Sequence, residues 1–162
     1  SFIRHADIVK MACITMISSL VGNAPDGDFK NSSYETFYLY SNNCLGTALD
    51  VYTDCEKFSN KVFTDVPYLD VTAIHNEAKK VLIINVINRH ETKAIPADII
   101  LQTGSFSGTA KVSELNGKDL TARSTKTEPS VTVSMKELNF KGNSINFSFA
   151  AHSLTQIEIP IK

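Results

Sequence analysis

The residues able to do chemistry are scattered along this chain, and carboxylates are the commonest of them. The 162 residues hold 17 Asp and Glu against 16 Lys and Arg, with four histidines and three cysteines. Acidic residues near turns or element ends are Asp26, Asp28, Glu35, Asp50, Asp54, Glu56, Asp65 and Asp70. Two carboxyl groups divide acid and base roles only when their surroundings push one pKa up and leave the other low. None of the pairs Asp26/Asp28, Asp50/Asp54 and Asp54/Glu56 has a flanking motif that would bury one member, so no catalytic residue is assigned. Asp26 and Asp28 open like a calcium loop, but the remaining ligands are missing. Pro25-Asp26-Gly27-Asp28 reads instead as a solvated turn, with Pro fixing φ and Gly permitting a positive φ. No C-x-x-C or His/Cys cluster points to zinc, so neither a metal nor any other cofactor is expected. Ser153 follows His152, yet no oxyanion motif or third member accompanies them.

Composition narrows the remaining classes. With 43% hydrophobic and 20% charged residues the chain can build a core. A net charge of −1 argues against a nucleic-acid partner, because gripping phosphates needs surplus Lys and Arg on one face. No apolar run reaches the length of a membrane span, so no membrane partner is expected. The start carries no charged region followed by an apolar stretch and a cleavage site, so no signal peptide is expected, and the opening at Ser1 suggests a fragment. Asn31-Ser32-Ser33 and Asn146-Phe147-Ser148 permit glycosylation in a secreted eukaryotic protein, which leaves the compartment open. Of the cysteines, Cys13 reads as a small buried hydrophobe, and whether Cys44 and Cys55 pair stays open.

The elements that must position these residues fall into two parts. Ile8, Val9, Met11, Ala12, Cys13, Ile14, Met16, Ile17, Leu20 and Val21 cover most of the circumference of a helix over Arg4–Val21. Gly22 and Pro25 supply its stop signals. A helix without a wet face belongs between layers. From Tyr34 onward the rhythm is that of strands, predicted at Tyr34–Tyr40, Thr47–Thr53, Leu69–His75, Lys80–Asn88, Ala97–Thr103, Gly108–Leu115, Ser130–Leu138, Ser144–His152 and Leu154–Lys162. Alternation at Ile145, Phe147, Phe149 and at Ile157, Ile159, Ile161 predicts half-buried strands, whereas Val81–Ile87 reads as a central strand covered on both sides. Leu120–Ser130 is polar and Thr-rich, a loop or an edge. The fold class is mostly β, an antiparallel sandwich preceded by one helix.

Taken together, "ADIVKMA" at Ala6–Ala12, "YLYSNNCLGTALDVYTDC" at Tyr38–Cys55, "DVPYLDVTA" at Asp65–Ala73, "VINRHETKAI" at Val86–Ile95, "ELNGKDLTARST" at Glu114–Thr125 and "AAHSLTQIEI" at Ala150–Ile159 carry a resemblance. In this order they resemble the C-terminal portion of the α-L-arabinofuranosidases of glycoside hydrolase family 51. The resemblance implies a jelly-roll-like β-sandwich at residues 25–162, preceded at residues 1–24 by the last helix of a (β/α)8 barrel. It implies retaining hydrolysis of terminal α-L-arabinofuranosyl residues, by two glutamates about 5–5.5 Å apart. These glutamates would lie at the ends of barrel strands upstream of this chain. The partners implied are the catalytic barrel of the same enzyme, an arabinose-containing polysaccharide reached through the whole enzyme, and further copies in a homo-oligomer. His5, at the helix start on the side of the barrel loops, is the candidate substrate-binding residue. Arg89 and His90 are expected to make structural contacts between sandwich and barrel, and His75 and His152 to be structural. Many relatives carry Asn, Gln and Asn where this chain has Cys13, Met16 and Ser19, so no role is carried over at those positions. The alternative is a stand-alone carbohydrate-binding module, with Tyr34, Phe37, Tyr38 and Tyr40 as stacking surfaces rather than core and interface.

Overall fold

A computed structural model describes residues 2–13, 20–140 and 142–162. The chain enters through a 3-10 turn at Ile3–His5 and continues to a hairpin of β1 (Val21–Ala24) and β2 (Gly27–Lys30). Helix α1 (Ser32–Asn43) follows. The remaining strands are β3 (Thr47–Leu49), β4 (Lys57–Phe58), β5 (Val66–Pro67), β6 (Leu69–Asn76), β7 (Val81–Asn88), β8 (Ile95–Ile100), β9 (Thr109–Asn116), β10 (Thr132–Asn139), β11 (Ser144–Phe149) and β12 (Ser153–Pro160). The main sheet has the antiparallel order β10-β9-β12-β7-β6-β3, and β8 and β11 form a second, two-stranded layer. As expected, the architecture is mostly β and antiparallel, and eight of the nine predicted strands are present.

The pleat explains the layering. On β7, Leu82, Ile84 and Val86 face one side, joined by Leu69 and Ala73 of β6, Ile157 and Ile159 of β12, and Ala110 and Val112 of β9. Ile145, Phe147 and Phe149 of β11 close this core from the other layer, with Ile95, Ala97 and Ile99 of β8 packed beside them. Phe106, on the connection from β8 to β9, plugs the same core and is 1% exposed. Val81 and Ile83 point to the opposite face of β7 with Ile74 of β6 and form a second cluster, against which Ile3 and Cys44 pack. The continuous apolar run of β7 therefore means burial on both faces, as its sequence predicts. Cys55 packs on the sandwich core and Cys44 on the opposite face of the sheet, so the two thiols are separate and free.

Two expectations are corrected. Tyr34–Tyr40, read as a strand from its aromatic content, lies in α1. Asn31 stands at the N-cap in extended conformation and Glu35 sits in the first turn, where the helix dipole favours an acid. The sequence signal for this helix is Asn31, a favoured N-cap residue type, with the acidic Glu35 in the turn that follows. The second correction is the leading helix over Arg4–Val21. Its Ile14–Ser19 part lies outside the described residues. Beyond the 3-10 turn, residues 9–13 have no regular structure and Val21 begins β1. Cys13 is exposed rather than buried. A short helix draws most of its stability from the surface that encloses it, and none of the described residues covers Ile8 and Met11, which are 74% and 83% exposed. Gly22 is not a helix cap. It pairs across the hairpin with Phe29, whose ring occupies the space a Cβ would need, 2.3 Å away.

Residue Gly46 makes the close approach from α1 into the sheet, with φ of 140° and the His75 carbonyl oxygen 2.2 Å from where a Cβ would stand. Truncating the centre of the core should be costly. Ile157→Ala, at a site with 0% exposure, should lose about 2–5 kcal/mol in urea unfolding. Met135→Ala, on the open edge strand β10, should stay within about 0.5 kcal/mol.

Candidate functional site

The face of the main sheet opposite the sandwich core is where the chemistry-bearing residues gather. Pleat alternation aims Asp70 and Thr72 of β6, Asn85 of β7 and Gln156 of β12 toward α1. Asn43 Nδ2 donates to Gln156 Oε1 at 2.5 Å, Gln156 Nε2 donates to Asn85 Oδ1 at 2.7 Å, and Asn85 Nδ2 donates to Thr72 Oγ1 at 3.4 Å. Asn85 and Gln156 are buried. Each donor hands its hydrogen to a neighbour that is itself a donor, a relay that strengthens every member in a low dielectric. Cys44, just past the end of α1, receives Asn85 Nδ2 at 3.4 Å, and burial pushes its thiol pKa up while the bond from Asn85 pulls against that. A high thiol pKa makes a poor nucleophile at neutral pH. This is structural polar packing rather than a catalytic array.

Beside the relay, Asp70 carries two arginines. Arg4 Nη2 donates to its Oδ1 and Arg89 Nη2 to its Oδ2, while Arg4 also reaches the Val71 carbonyl at 2.9 Å and Arg89 Nη1 the Pro67 carbonyl at 2.9 Å. The Asp70 side chain is 15% exposed. Here a carboxylate on the sandwich fixes a cation of the leading segment. Both partners of the Arg89 side chain, Asp70 and Pro67, lie in the sandwich, and it is Arg4 that ties the leading segment to it. His90 ends the same stretch. Its Nδ1 accepts the amide hydrogens of Thr92 and Lys93 at 3.2 and 3.1 Å, and its ring lies against Tyr68, centroids 4.7 Å apart. Asn88 Nδ2 stands within 2.9–3.1 Å of the carbonyl oxygens of Lys93, Phe149 and Ala150. His152 sets Nδ1 2.8 Å from the Glu91 carbonyl and Nε2 3.0 Å from that of Gly117. The stretch Val86–Ile95 is a knot that joins three loops at one end of the sandwich.

Between the leading segment and α1 runs a groove of about 670 Å³, lined by Phe2, Ile3, Phe37, Tyr40, Cys44 and Asp70 among others. Burial raises the Tyr40 hydroxyl pKa, with Cys44 and Asp70 adding to the effect and Arg4 opposing it. Phe37 and Tyr40 share this stripe of α1, while Tyr34 and Tyr38 stack along another, centroids 6.4 Å apart. The four aromatics therefore do not form one platform.

The remaining candidates are dispersed. His5 is exposed in the 3-10 turn. Asp26 pairs with Lys126 at 3.5 Å, Asp28 accepts from Asn23 at 2.6 Å, and Glu35 accepts from Lys30 at 2.9 Å. The amide of Thr121, and after it the hydroxyl, lowers the Asp119 pKa, which is the wrong direction for a general acid. Ser153 Oγ donates to the Ala150 carbonyl at 2.7 Å. Asn146, the second sequon residue, lies exposed on β11 and donates to Asp98 at 2.8 Å.

A two-layer antiparallel sandwich whose spare sheet face holds a helix and a docked leading segment is the form of an accessory domain. The family model for the α-L-arabinofuranosidase C-terminal domain matches residues 1–153, and the chain belongs to that family. It is 32% identical over 101 residues to an intracellular exo-α-(1→5)-L-arabinofuranosidase of Halalkalibacterium halodurans, a match taking in 59% of this chain and 20% of that protein. It is 30% identical over 166 residues to a probable α-L-arabinofuranosidase C of Aspergillus niger, covering 95% of this chain and 31% of that protein. The fold superposes on a family 51 α-L-arabinofuranosidase from Bifidobacterium longum with a TM-score of 0.84 at 17% identity, over 98% of this chain and 32% of the other. A thermostable family 51 α-L-arabinofuranosidase from Thermotoga petrophila gives 0.73 at 25% identity, over 85% and 31%. The chain thus spans a fifth to a third of the length of these relatives.

The Asp70 clamp gives a direct test of how the leading segment is held. Asp70→Asn removes the only negative charge between Arg4 and Arg89 in the described clamp, and should cost about 1–3 kcal/mol. Hydrogen exchange should accelerate in residues 2–9 and stay unchanged in β12.

Proposed function

We propose that this chain is the sandwich portion of a larger α-L-arabinofuranosidase, whose catalytic glutamates lie upstream, outside these residues. The whole enzyme removes terminal α-L-arabinofuranosyl residues from arabinose-containing polysaccharides such as arabinoxylan and arabinan, with retention, through one acid/base and one nucleophilic carboxylate. The boundary falls after residue 24, where a (β/α)8 barrel hands over to the sandwich. The observation that carries this reading is the leading segment. It is tied to the sandwich by Arg4 on Asp70, yet leaves Ile8 and Met11 exposed with none of the described residues over them. Such residues await a second body.

The carboxylates support the same division of labour. Asp70, Glu35 and Glu114 each face a cation: the two arginines, Lys30 and Lys136. A retaining pair needs two carboxyl groups facing one another across a sugar. The sandwich therefore acts as a brace, holding the end of the barrel through α1 and the Asp70 clamp. His5 lies in the segment nearest that barrel and is our candidate for a contact with substrate. Copies of the enzyme associate as a homo-oligomer through the surfaces left over.

Expressed alone, this chain should release no measurable product from an aryl α-L-arabinofuranoside, while the chain joined to its upstream residues should turn it over. Turnover by the chain alone, traced to its own carboxylates by substitution, would contradict the reading.

A further inference from the structure

A second groove, of about 320 Å³, runs between β2, the first turn of α1 and the loop that leads into β10. We propose that it binds a short stretch of uncharged saccharide chain. This proposal rests on the arabinofuranosidase reading for its choice of ligand, but the groove's own chemistry points the same way.

The charged lining is one Lys and one Glu, Lys30 and Glu35, so the groove carries no net charge and offers nothing to a phosphate or a polyuronate. The two are paired at 2.9 Å, and Lys30 Nζ also sits 4.5 Å from the centre of the Tyr34 ring. The ammonium is therefore held in place. An ammonium has three donors and a carboxylate several lone pairs, so the pair retains capacity after bonding to itself. A fixed donor beside a fixed acceptor matches two neighbouring hydroxyls, each of which can give and take a hydrogen bond. Ser124 and Thr132 add hydroxyls, while Pro129 and Val131 supply an apolar wall for the C–H face of a sugar ring. The volume lies at the small end of the range for ligand clefts, about 300–1,000 Å³.

The walls are built, not incidental. Within the loop, Ser124 Oγ lies 2.8 Å from Ser130 Oγ and accepts the Ser130 amide at 3.1 Å. Thr125 and Glu128 exchange backbone and side-chain bonds at 2.9 and 3.0 Å. Lys126 reaches across to the β1–β2 hairpin, donating to the Asp26 carbonyl. Loop and hairpin are thereby tied together. A small aryl arabinofuranoside carries no polysaccharide chain to seat in the groove, so binding and turnover are read separately in an experiment.

The test is affinity electrophoresis of the whole enzyme through gels containing soluble arabinoxylan, with hydrolysis of an aryl α-L-arabinofuranoside as the parallel reading. Glu35→Ala removes the acceptor and Thr132→Trp fills the groove. Each should weaken retardation about tenfold, Glu35→Ala by the loss of one charge-assisted hydrogen bond and Thr132→Trp by taking the space of the bound chain. Hydrolysis of the aryl substrate should stay within about twofold. Unfolding midpoints check that both variants are folded, as expected for side chains at the surface. Wild-type mobility unaffected by arabinoxylan, retardation unchanged in both variants, or stronger retardation by polygalacturonate would each overturn the proposal. Absence of aryl arabinofuranoside turnover in the wild type would instead sink the arabinofuranosidase reading, while the retardation would still report on the groove.

Discussion

The structure depends on a sheet that must be buried on both faces, and on one buried relay that decides what covers the second. Strand β7 has no wet side. Its Leu82, Ile84 and Val86 are satisfied by the sandwich, which leaves Val81, Ile83 and Asn85 requiring cover of their own. Apolar residues alone would accept any greasy surface there. Asn85 and Gln156 do not, because a buried amide left unpaired is costly. From the end of α1, Asn43 reaches Gln156 and Cys44 reaches Asn85. The relay thereby selects the end of α1, in one register, from among surfaces that would otherwise serve equally well.

The remainder follows from that docking. Once α1 is seated, Cys44 packs beside Ile83, and Gly46 lets the chain pass close to β6 and enter β3. The leading segment is drawn onto the same face by Arg4, where Asp70 already carries Arg89. Sandwich core and relay thus divide the work. The core supplies most of the burial, and the second face determines what the domain is attached to. An accessory domain of a larger enzyme needs the second property more than the first.

The sheet was legible in the sequence because period-two alternation and turn clusters are local. Ile145, Phe147 and Phe149 point inward as their spacing requires, and the full run of Val81–Ile87 announced cover on both sides. The knot around Asn88, Arg89 and His90 was legible only as a motif, since its bonds run to Lys93, Phe149 and Asp70, far apart in the chain. Two readings failed for physical reasons. Aromatic residues favour strands through packing, not through the backbone, so Tyr34–Tyr40 could follow its cap into a helix. The apolar stretch after His5 has the composition of an enclosed helix, and enclosure is what the described residues do not provide for residues 6–13. Asn43, Asn85 and Gln156 were invisible as a group because residues 42 and 71 positions apart meet only after folding.

A double-mutant cycle on Asn43→Ala and Gln156→Ala, read by urea unfolding, tests the central claim most directly. The account predicts a coupling of about 1 kcal/mol or more, with α1 losing hydrogen-exchange protection in each single variant. Additive effects, with α1 still protected when both side chains are gone, would show that apolar burial alone seats the helix and would contradict it.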